Sequence, residues 1–237
     1  MRLSPWGRVV AISALLVVGG AVALAVGALA STRERLVTFP VTGELSGLAF
    51  DLGNGDITVV GGGQRDAVQV RRTERYSFGH NVRTERAVGD GVFRVRSRCP
   101  FTLLGPCSVS YRVIVPDNVM LDLRTTGGNV RFRDYRGSAR ITTTRGSIEI
   151  TGYCGNSLDA RADSGAIELD ASCAPPSLSL RSSSGAITAV LPSGPYDIDV
   201  ESSDGEEHVR GITPSADAPY RVQALSTSGR VSVEGRS

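Results

Sequence analysis

The chain has 237 residues, a formal net charge of +2 and only 5% aromatic residues. All 26 basic residues are arginine, and from Ser31 onward 24 arginines meet 24 acids, which excludes the concentrated positive field of a nucleic-acid binder. Twenty-eight glycines, with abundant Ser and Thr, favour short strands joined by tight turns over long helices.

Residues 1–8 carry Arg2 and Arg8, which Arg33 and Arg35 balance beyond the apolar run; the disulfide-like cysteines downstream favour residues 1–8 as a short cytoplasmic N-terminus. Val9 to Ala30 then runs without a charge and meets the roughly 20 apolar residues that a helix needs to cross a bilayer core. Residues 9–30 are therefore expected as a transmembrane helix, or uncleaved signal anchor. Ala28-Leu29-Ala30 has the small-x-small form of a signal-peptidase site, but the apolar run exceeds the roughly 7–15 residues of a cleaved signal core. Residues 31–44 are read as a linker.

From residue 45 onward the sequence repeats itself. Gly55-Asp56-Ile57-Thr58-Val59 is the first copy; Gly128, Gly146, Gly165, Gly185, Gly205 and Gly229 open the others, at steps of 18, 19, 20, 20 and 24 residues. Two and four places after each glycine stand apolar residues such as Ile148 and Ile150, or Ile167 and Leu169; five and seven places before it stand others, such as Leu123 and Leu121. Spacing of two on both sides of a turn means two strands, each with one inward apolar face. One unit cannot bury that face, but stacked units can. The expected fold is all-β, a β-solenoid-like stack of short strand repeats preceded by one transmembrane helix. At about 4.8 Å per rung, the six units from Leu121 onward extend roughly 30 Å. The glycines mark turns, where positive φ is often needed.

Residues 61–116 interrupt the repeat. Val68-Gln69-Val70, Val92 to Val95 and Val109 to Val115 read as strands of longer hairpins that cover or extend the N-terminal end of the stack. The repeat domain thus spans 45–237, with a hairpin insertion at 61–116. One unit is irregular: Glu207 stands where an inward apolar residue is expected, beside His208, and a β-bulge that turns it outward is the expected explanation.

Candidate chemistry is sparse. His80 and His208 have no second histidine at metal-ligand spacing. Asp163-Ser164-Gly165 has the look of a protease serine, yet Ser184-Gly185 and Ser228-Gly229 put serine in the same place, so the repeat explains it. Asp197, Asp199, Glu201 and Asp204 cluster as the acids of a calcium loop do, but Ile198 and Val200 alternate with the first three, as on the outer face of a half-buried strand, and Ser202 stands where the loop's glycine is expected. A polysaccharide lyase would need acids such as Glu149, Glu168 and Asp170 to act together with Arg124, Arg161 or Arg181. No catalytic residue, cofactor or metal site is assigned, and the chain is read as not an enzyme.

Cys154 and Cys173 each follow a repeat glycine by eight residues, so they occupy equivalent places on successive rungs. A rung spacing near 4.8 Å lies within the roughly 4.4–6.8 Å Cα range of a disulfide. Cys154 is therefore paired with Cys173, and Cys99 with Cys107. Residues 65–98 hold nine arginines and four acids. Arg65, Arg71, Arg72, Arg75, Arg94, Arg96 and Arg98 are the candidate contacts to an anionic ligand, an envelope polymer or lipid headgroups, because guanidinium forks fit phosphate. Their alternative role is to solvate a hairpin and deter edge pairing.

The recurring Ser/Thr-x-Gly-x-Ile/Val-x-Ile/Val/Leu units, with Val115-Pro116-Asp117-Asn118 and Leu191-Pro192-Ser193-Gly194, resemble the bacterial putative-adhesin family of β-strand-repeat proteins, a domain of unknown function. The resemblance covers roughly residues 45–235. It implies an envelope or surface protein behind one membrane segment, without catalytic residues or cofactor. The expected function is a non-catalytic, adhesin-like interaction module of the cell envelope. The alternatives are an accessory component of envelope-stress signalling, with signalling proteins as partners, and a β-helical polysaccharide-active enzyme. The expected location is the cell membrane, single-pass, with the C-terminal domain extracytoplasmic.

Overall fold

The computed structural model describes residues 5–30, 32–64, 67–77, 82–100, 106–117 and 119–236. Helix α1 (Pro5–Ala30) is followed by β1 (Arg33–Thr42), β2 (Gly47–Asn54), β3 (Ile57–Val60), β4 (Ala67–Tyr76), β5 (Arg83–Gly89), β6 (Val92–Arg98) and β7 (Cys107–Ile114). The repeats then give β8 (Met120–Gly127), β9 (Val130–Arg133), β10 (Ala139–Arg145), β11 (Ile148–Tyr153), β12 (Ser157–Ser164), β13 (Ile167–Ala171), β14 (Ser177–Ser182) and β15 (Ile187–Pro192). The chain closes with β16 (Gly194–Ser202), β17 (Glu207–Arg210), β18 (Ile212–Pro214), β19 (Arg221–Ser226) and β20 (Val231–Arg236).

The strands form two ten-stranded sheets. Each repeat sends its strand before the glycine to one sheet and its strand after the glycine to the other. In the first sheet the order is β1-β4-β7-β3-β9-β11-β13-β15-β20-β17, and in the second β18-β16-β19-β14-β12-β10-β8-β2-β6-β5. Successive rungs pair in parallel and in register, so equivalent residues stack: Leu48 on Leu121, then Ala139, Leu158 and Leu178. Those five side chains are all buried. Fully burying a Leu, Ile or Phe stabilises by about 1.5–3 kcal/mol, and the gain is realised only when a neighbouring rung covers it.

The turn edge is closed by glycines for a reason other than φ. Among Gly55, Gly128, Gly146, Gly165, Gly185, Gly205 and Gly229, only Gly55 and Gly165 have positive φ. A Cβ on Gly128, Gly146, Gly185 or Gly229 would instead lie 2.1, 2.0, 1.8 or 2.1 Å from the carbonyl oxygen of the glycine one rung away. Three residues before the glycine, a hydroxyl points inward and donates to that same carbonyl: Thr125 to Gly55 at 3.2 Å, Thr143 to Gly128 at 3.3 Å, Ser226 to Gly185 at 3.2 Å. Ser182 and Ser226 also accept from their own rung's glycine amide. These buried hydroxyls are thereby satisfied.

Spatial order departs from chain order at both ends. The insertion 61–116 adds a rung outside the first repeat, with β6 parallel to β2 and β7 parallel to β3. Beyond it, β5 pairs antiparallel with β6 and β4 antiparallel with β7, and Asp90-Gly91, both at positive φ, make the β5–β6 hairpin turn. The segment 31–44, read as a linker, supplies β1, antiparallel to β4 over its whole length. Its inward side chains Val37, Phe39 and Val41 alternate behind a charged start, Arg33-Glu34-Arg35, which hides the pattern.

At the other end the last repeat slides inside its predecessor. Strands β19 and β20 stack directly on β14 and β15, and β16–β18 lie outermost. This removes the bulge expected at Glu207: β17 pairs with β20 in unbroken register. Glu207 keeps its place in the repeat, but on the last rung, where no further rung covers it. Its carboxylate is exposed and accepts from the Ser202 amide at 2.8 Å. An inward-pointing charge at the open end also discourages pairing with another sheet.

Helix α1 has 26 residues, a length of about 39 Å. Its described side chains from Ser13 to Leu24 are exposed. Among the described residues no helix is long and apolar enough to cross a membrane; the spanning expectation rests on the uncharged sequence run Val9–Ala30.

Candidate interaction surface

The outward residues of a two-sheet stack form two flat, opposed faces, and the same register that builds the core aligns them in rows. On the second sheet, one row runs Arg96, Asp51, Arg124 and Thr142 through β6, β2, β8 and β10. Its charges are paired. Asp51 accepts from Arg98 at 2.6 Å and Arg96 at 3.3 Å; Asp122 pairs with Arg124 at 3.0 Å; Asp159 pairs with Arg161 at 3.0 Å and Arg140 at 3.6 Å; Asp197 pairs with Arg221 at 2.7 Å. Partial burial works to raise the Asp51 pKa, but the hydrogen bonds and charges of Arg98 and Arg96 outweigh it and hold the carboxyl below its ordinary value. A depression of about 330 Å³ on this face is floored by Ala49 and Ala87 and walled by Arg94, Arg96, Asp51 and Asp122.

The candidate arginines therefore do not form one patch. Arg94, Arg96 and Arg98 face outward on the second sheet, where Arg96 and Arg98 are held by Asp51 and Arg94 donates to the Gly89 carbonyl at 3.3 Å. Arg71 and Arg75 face outward on the first sheet, with Arg75 3.7 Å from Glu34. Arg72 points inward and pairs with Glu74 at 3.0 Å; their side chains are 12% and 8% exposed. That guanidinium is committed to the interior and not to a ligand. Arg65 and His80 lie outside the described residues.

The candidate chemical groups are also separated. Glu149, Glu168 and Asp170 stand on β11 and β13 of the first sheet, while Arg124, Arg161 and Arg181 stand on β8, β12 and β14 of the second. Acids and bases on opposite faces cannot act on one substrate bond. Ser164 donates to the Thr144 carbonyl at 3.1 Å, and Ser184 and Ser228 make the equivalent bond one rung back, so Ser164 is a turn hydroxyl. Of the acids on β16, Asp197 is held by Arg221 and Asp199 accepts from Gln223 at 3.0 Å. Around Glu207 and His208 a depression is lined by Glu206, Arg230, Ser232 and Glu234; Glu206 pairs with Arg230 at 2.7 Å and Ser232 donates to Glu234 at 3.2 Å. Among the described residues no three His, Cys, Asp or Glu side chains are placed to hold a metal.

Both expected cysteine pairs are present, one across stacked rungs and the other across the β6–β7 connection. Cys154 is bonded to Cys173 across adjacent rungs, with Cα atoms 4.7 Å apart, and Cys99 to Cys107 with Cα atoms 5.7 Å apart. The first bridge closes a loop of 19 residues and stabilises by about 3 kcal/mol on the loop-entropy scale. Sequence reasoning missed the tyrosines on the same edge. Tyr135 donates to the Val119 carbonyl, and Tyr153 to the Ser157 and Gly137 carbonyls at 2.7 and 3.1 Å. Burial raises the pKa of both phenols, the Ser157 bond only partly offsetting it at Tyr153, so both stay protonated donors. The signal was available: Tyr135 and Tyr153 each precede, by two residues, a glycine whose Cβ would collide with the phenol oxygen.

Residues 45–234 match the Toastrack DUF4097 family. The chain belongs to that family. No curated protein matches it. Among solved structures, the Toastrack domain is similar to a "putative cell adhesion protein" of Clostridium sporogenes at 11% identity and a TM-score of 0.50, over 86% of this chain and 100% of the other. It is also similar to a "putative adhesin" of Bacteroides fragilis, at 14% identity and a TM-score of 0.46, over 85% of this chain and 97% of that one. At 11% identity the first of these likenesses shows a shared fold only.

Proposed function

We propose that this Toastrack chain is a non-catalytic interaction module of the cell envelope, held by α1 in the membrane with its β domain on the extracytoplasmic side. The observation that carries the reading is the pair of disulfides in a domain whose first strand begins three residues after an apolar helix that carries no charge from Val9 onward. Disulfides persist in oxidising compartments, and a run from Val9 to Ala30 without a charge is the sequence of a membrane span. A rigid stack with two flat charged faces, on which most of the carboxylates are tied up in ion pairs with neighbouring arginines, suits binding better than bond cleavage. Its partners are anionic groups of the envelope, either polymer or lipid headgroup.

Alkaline carbonate extraction of membranes tests the anchor. The full chain should remain in the pellet, and a chain beginning at Ser31 should be released into the supernatant. Equal release of both would remove the anchor. Glycan turnover assays with divalent metal test the rest, and metal-dependent cleavage of a uronate polymer would contradict a non-catalytic role.

A further inference from the structure

We propose that the outer face of the first sheet, at its N-terminal half, is a docking surface for the anionic phosphate headgroups of the membrane that α1 enters. The inference rests on the anchored reading above and names the partner of that module. Four arginines make the surface. Arg71 on β4 stands directly opposite Arg112 on β7. Arg112 is opposite Thr58 on β3, and Thr58 is opposite Arg131 on β9, where Arg133 follows on the same face. With strands about 4.8 Å apart, Arg71 and Arg112 are roughly 5 Å from each other, and Arg112 and Arg131 are roughly 10 Å apart across the short Thr58 side chain. That gap is wide enough to admit a phosphate between two guanidinium forks.

The charges of this surface are not neutralised as those of the second sheet are. Arg131, at its border, pairs with Glu149 at 3.3 Å and Asp56 at 3.6 Å. Among the described residues no carboxylate lies within ion-pair distance of Arg71, Arg112 or Arg133. Like charges placed directly opposite in a sheet are destabilising, so Arg71 and Arg112 are held at a cost that an anion between them would offset. Edge protection does not account for them: β1 lies beyond β4, so both arginines stand on interior strands. The same face exposes Leu36 on β1, an apolar group suited to the headgroup boundary. Tethering favours lipid over a distant polymer, because β1 begins three residues after α1 ends and is itself part of the face.

The test uses the full chain in phosphatidylcholine vesicles with and without phosphatidylglycerol. An environment-sensitive fluorophore is attached to Thr38→Cys, beside Arg71 on the first sheet, or to Thr142→Cys on the outer face of the second. The Thr38 probe should shift to the blue only with the anionic lipid, and return at about 1 M salt, where screening acts over roughly 3 Å. Each arginine near an anionic surface strengthens attachment roughly fivefold, so Arg71→Gln with Arg112→Gln should lower the docked-to-free ratio about thirtyfold. An unchanged Thr38 probe, an equal shift at Thr142, or an equal shift in neutral vesicles would overturn the proposal. A chain that fails to float with the vesicles would defeat the anchor instead. In that case the detergent-solubilised chain is titrated with short-chain phosphatidylglycerol, where a Thr38 shift supports the surface and no shift overturns it. A response to inorganic phosphate but to neither lipid form would also overturn it.

Discussion

Gly185→Ala should destabilise the domain by more than about 4 kcal/mol, or prevent folding. The added Cβ would sit 1.8 Å from the Gly165 carbonyl oxygen and 2.4 Å from its carbon. Both are backbone atoms, so no side chain can rotate aside; the two rungs must separate or the turn must break. Ordinary overpacking costs about 1–3 kcal/mol because side chains and backbone share the shift. Here the shift also stretches the Ser182 and Ser226 hydroxyl bonds that tie the glycine carbonyls of Gly165 and Gly185 to the next rungs. Ser184→Ala, one residue away, loses a single exposed bond to the Asp163 carbonyl and should cost less than about 1 kcal/mol. Urea unfolding of the two variants measures the difference. Similar midpoints would mean that the rungs are not in close contact at their glycines.

Breaking the interior ion pair should have an effect of comparable size. Arg72→Met leaves the Glu74 carboxylate, in a residue only 6% exposed, without its partner 3.0 Å away. Removing one member of a buried pair costs about 3–5 kcal/mol, mostly the penalty of the charge left behind. Replacing both, as Arg72→Met with Glu74→Leu, should recover most of that loss, since inward Val68 and Val70 on the same strand supply apolar neighbours. Thermal denaturation of the single and double variants checks this. A double variant no more stable than the single one would mean that the pair is worth more than its desolvation.

The particular residues that were legible in the sequence are those governed by local spacing. Period-two alternation on either side of a glycine placed Leu121, Leu123, Val130 and Phe132 inward, and all four are buried. The equal offset of Cys154 and Cys173 from their glycines gave their pairing, because a stacked repeat converts equal offset into proximity. What escaped depends on which rung touches which. Aligning glycines gives chain order, yet the rung containing Glu207 lies outside the rung that follows it. An inward carboxylate without a buried partner, unlike Glu74 with Arg72, is costly to cover on both sides, so that unit is suited to an end. Read this way, Glu207 was a signal of termination and not of a bulge.

The charge pattern misled for a related reason. A count of arginines over residues 65–98 pools β4 and β6, which belong to different sheets with opposed outer faces. Arg112, Arg131 and Arg133 fall outside that window, although register sets Arg112 beside Arg71. Linear clustering is a poor guide to a surface when neighbouring strands in space are 30 or more residues apart in sequence, as Arg71 and Arg112 are.

Labelling of intact cells with a membrane-impermeant maleimide tests the membrane-anchored, outward-facing arrangement most directly. The four native cysteines are bonded in pairs, so single reporters can be placed at Ala216, exposed on the turn after β18, and at Ser4 before the helix. Ala216→Cys should label fully in intact cells, and Ser4→Cys only after lysis. Labelling of Ser4→Cys in intact cells with Ala216→Cys protected until lysis would reverse the orientation and contradict a module that meets its partners outside the membrane.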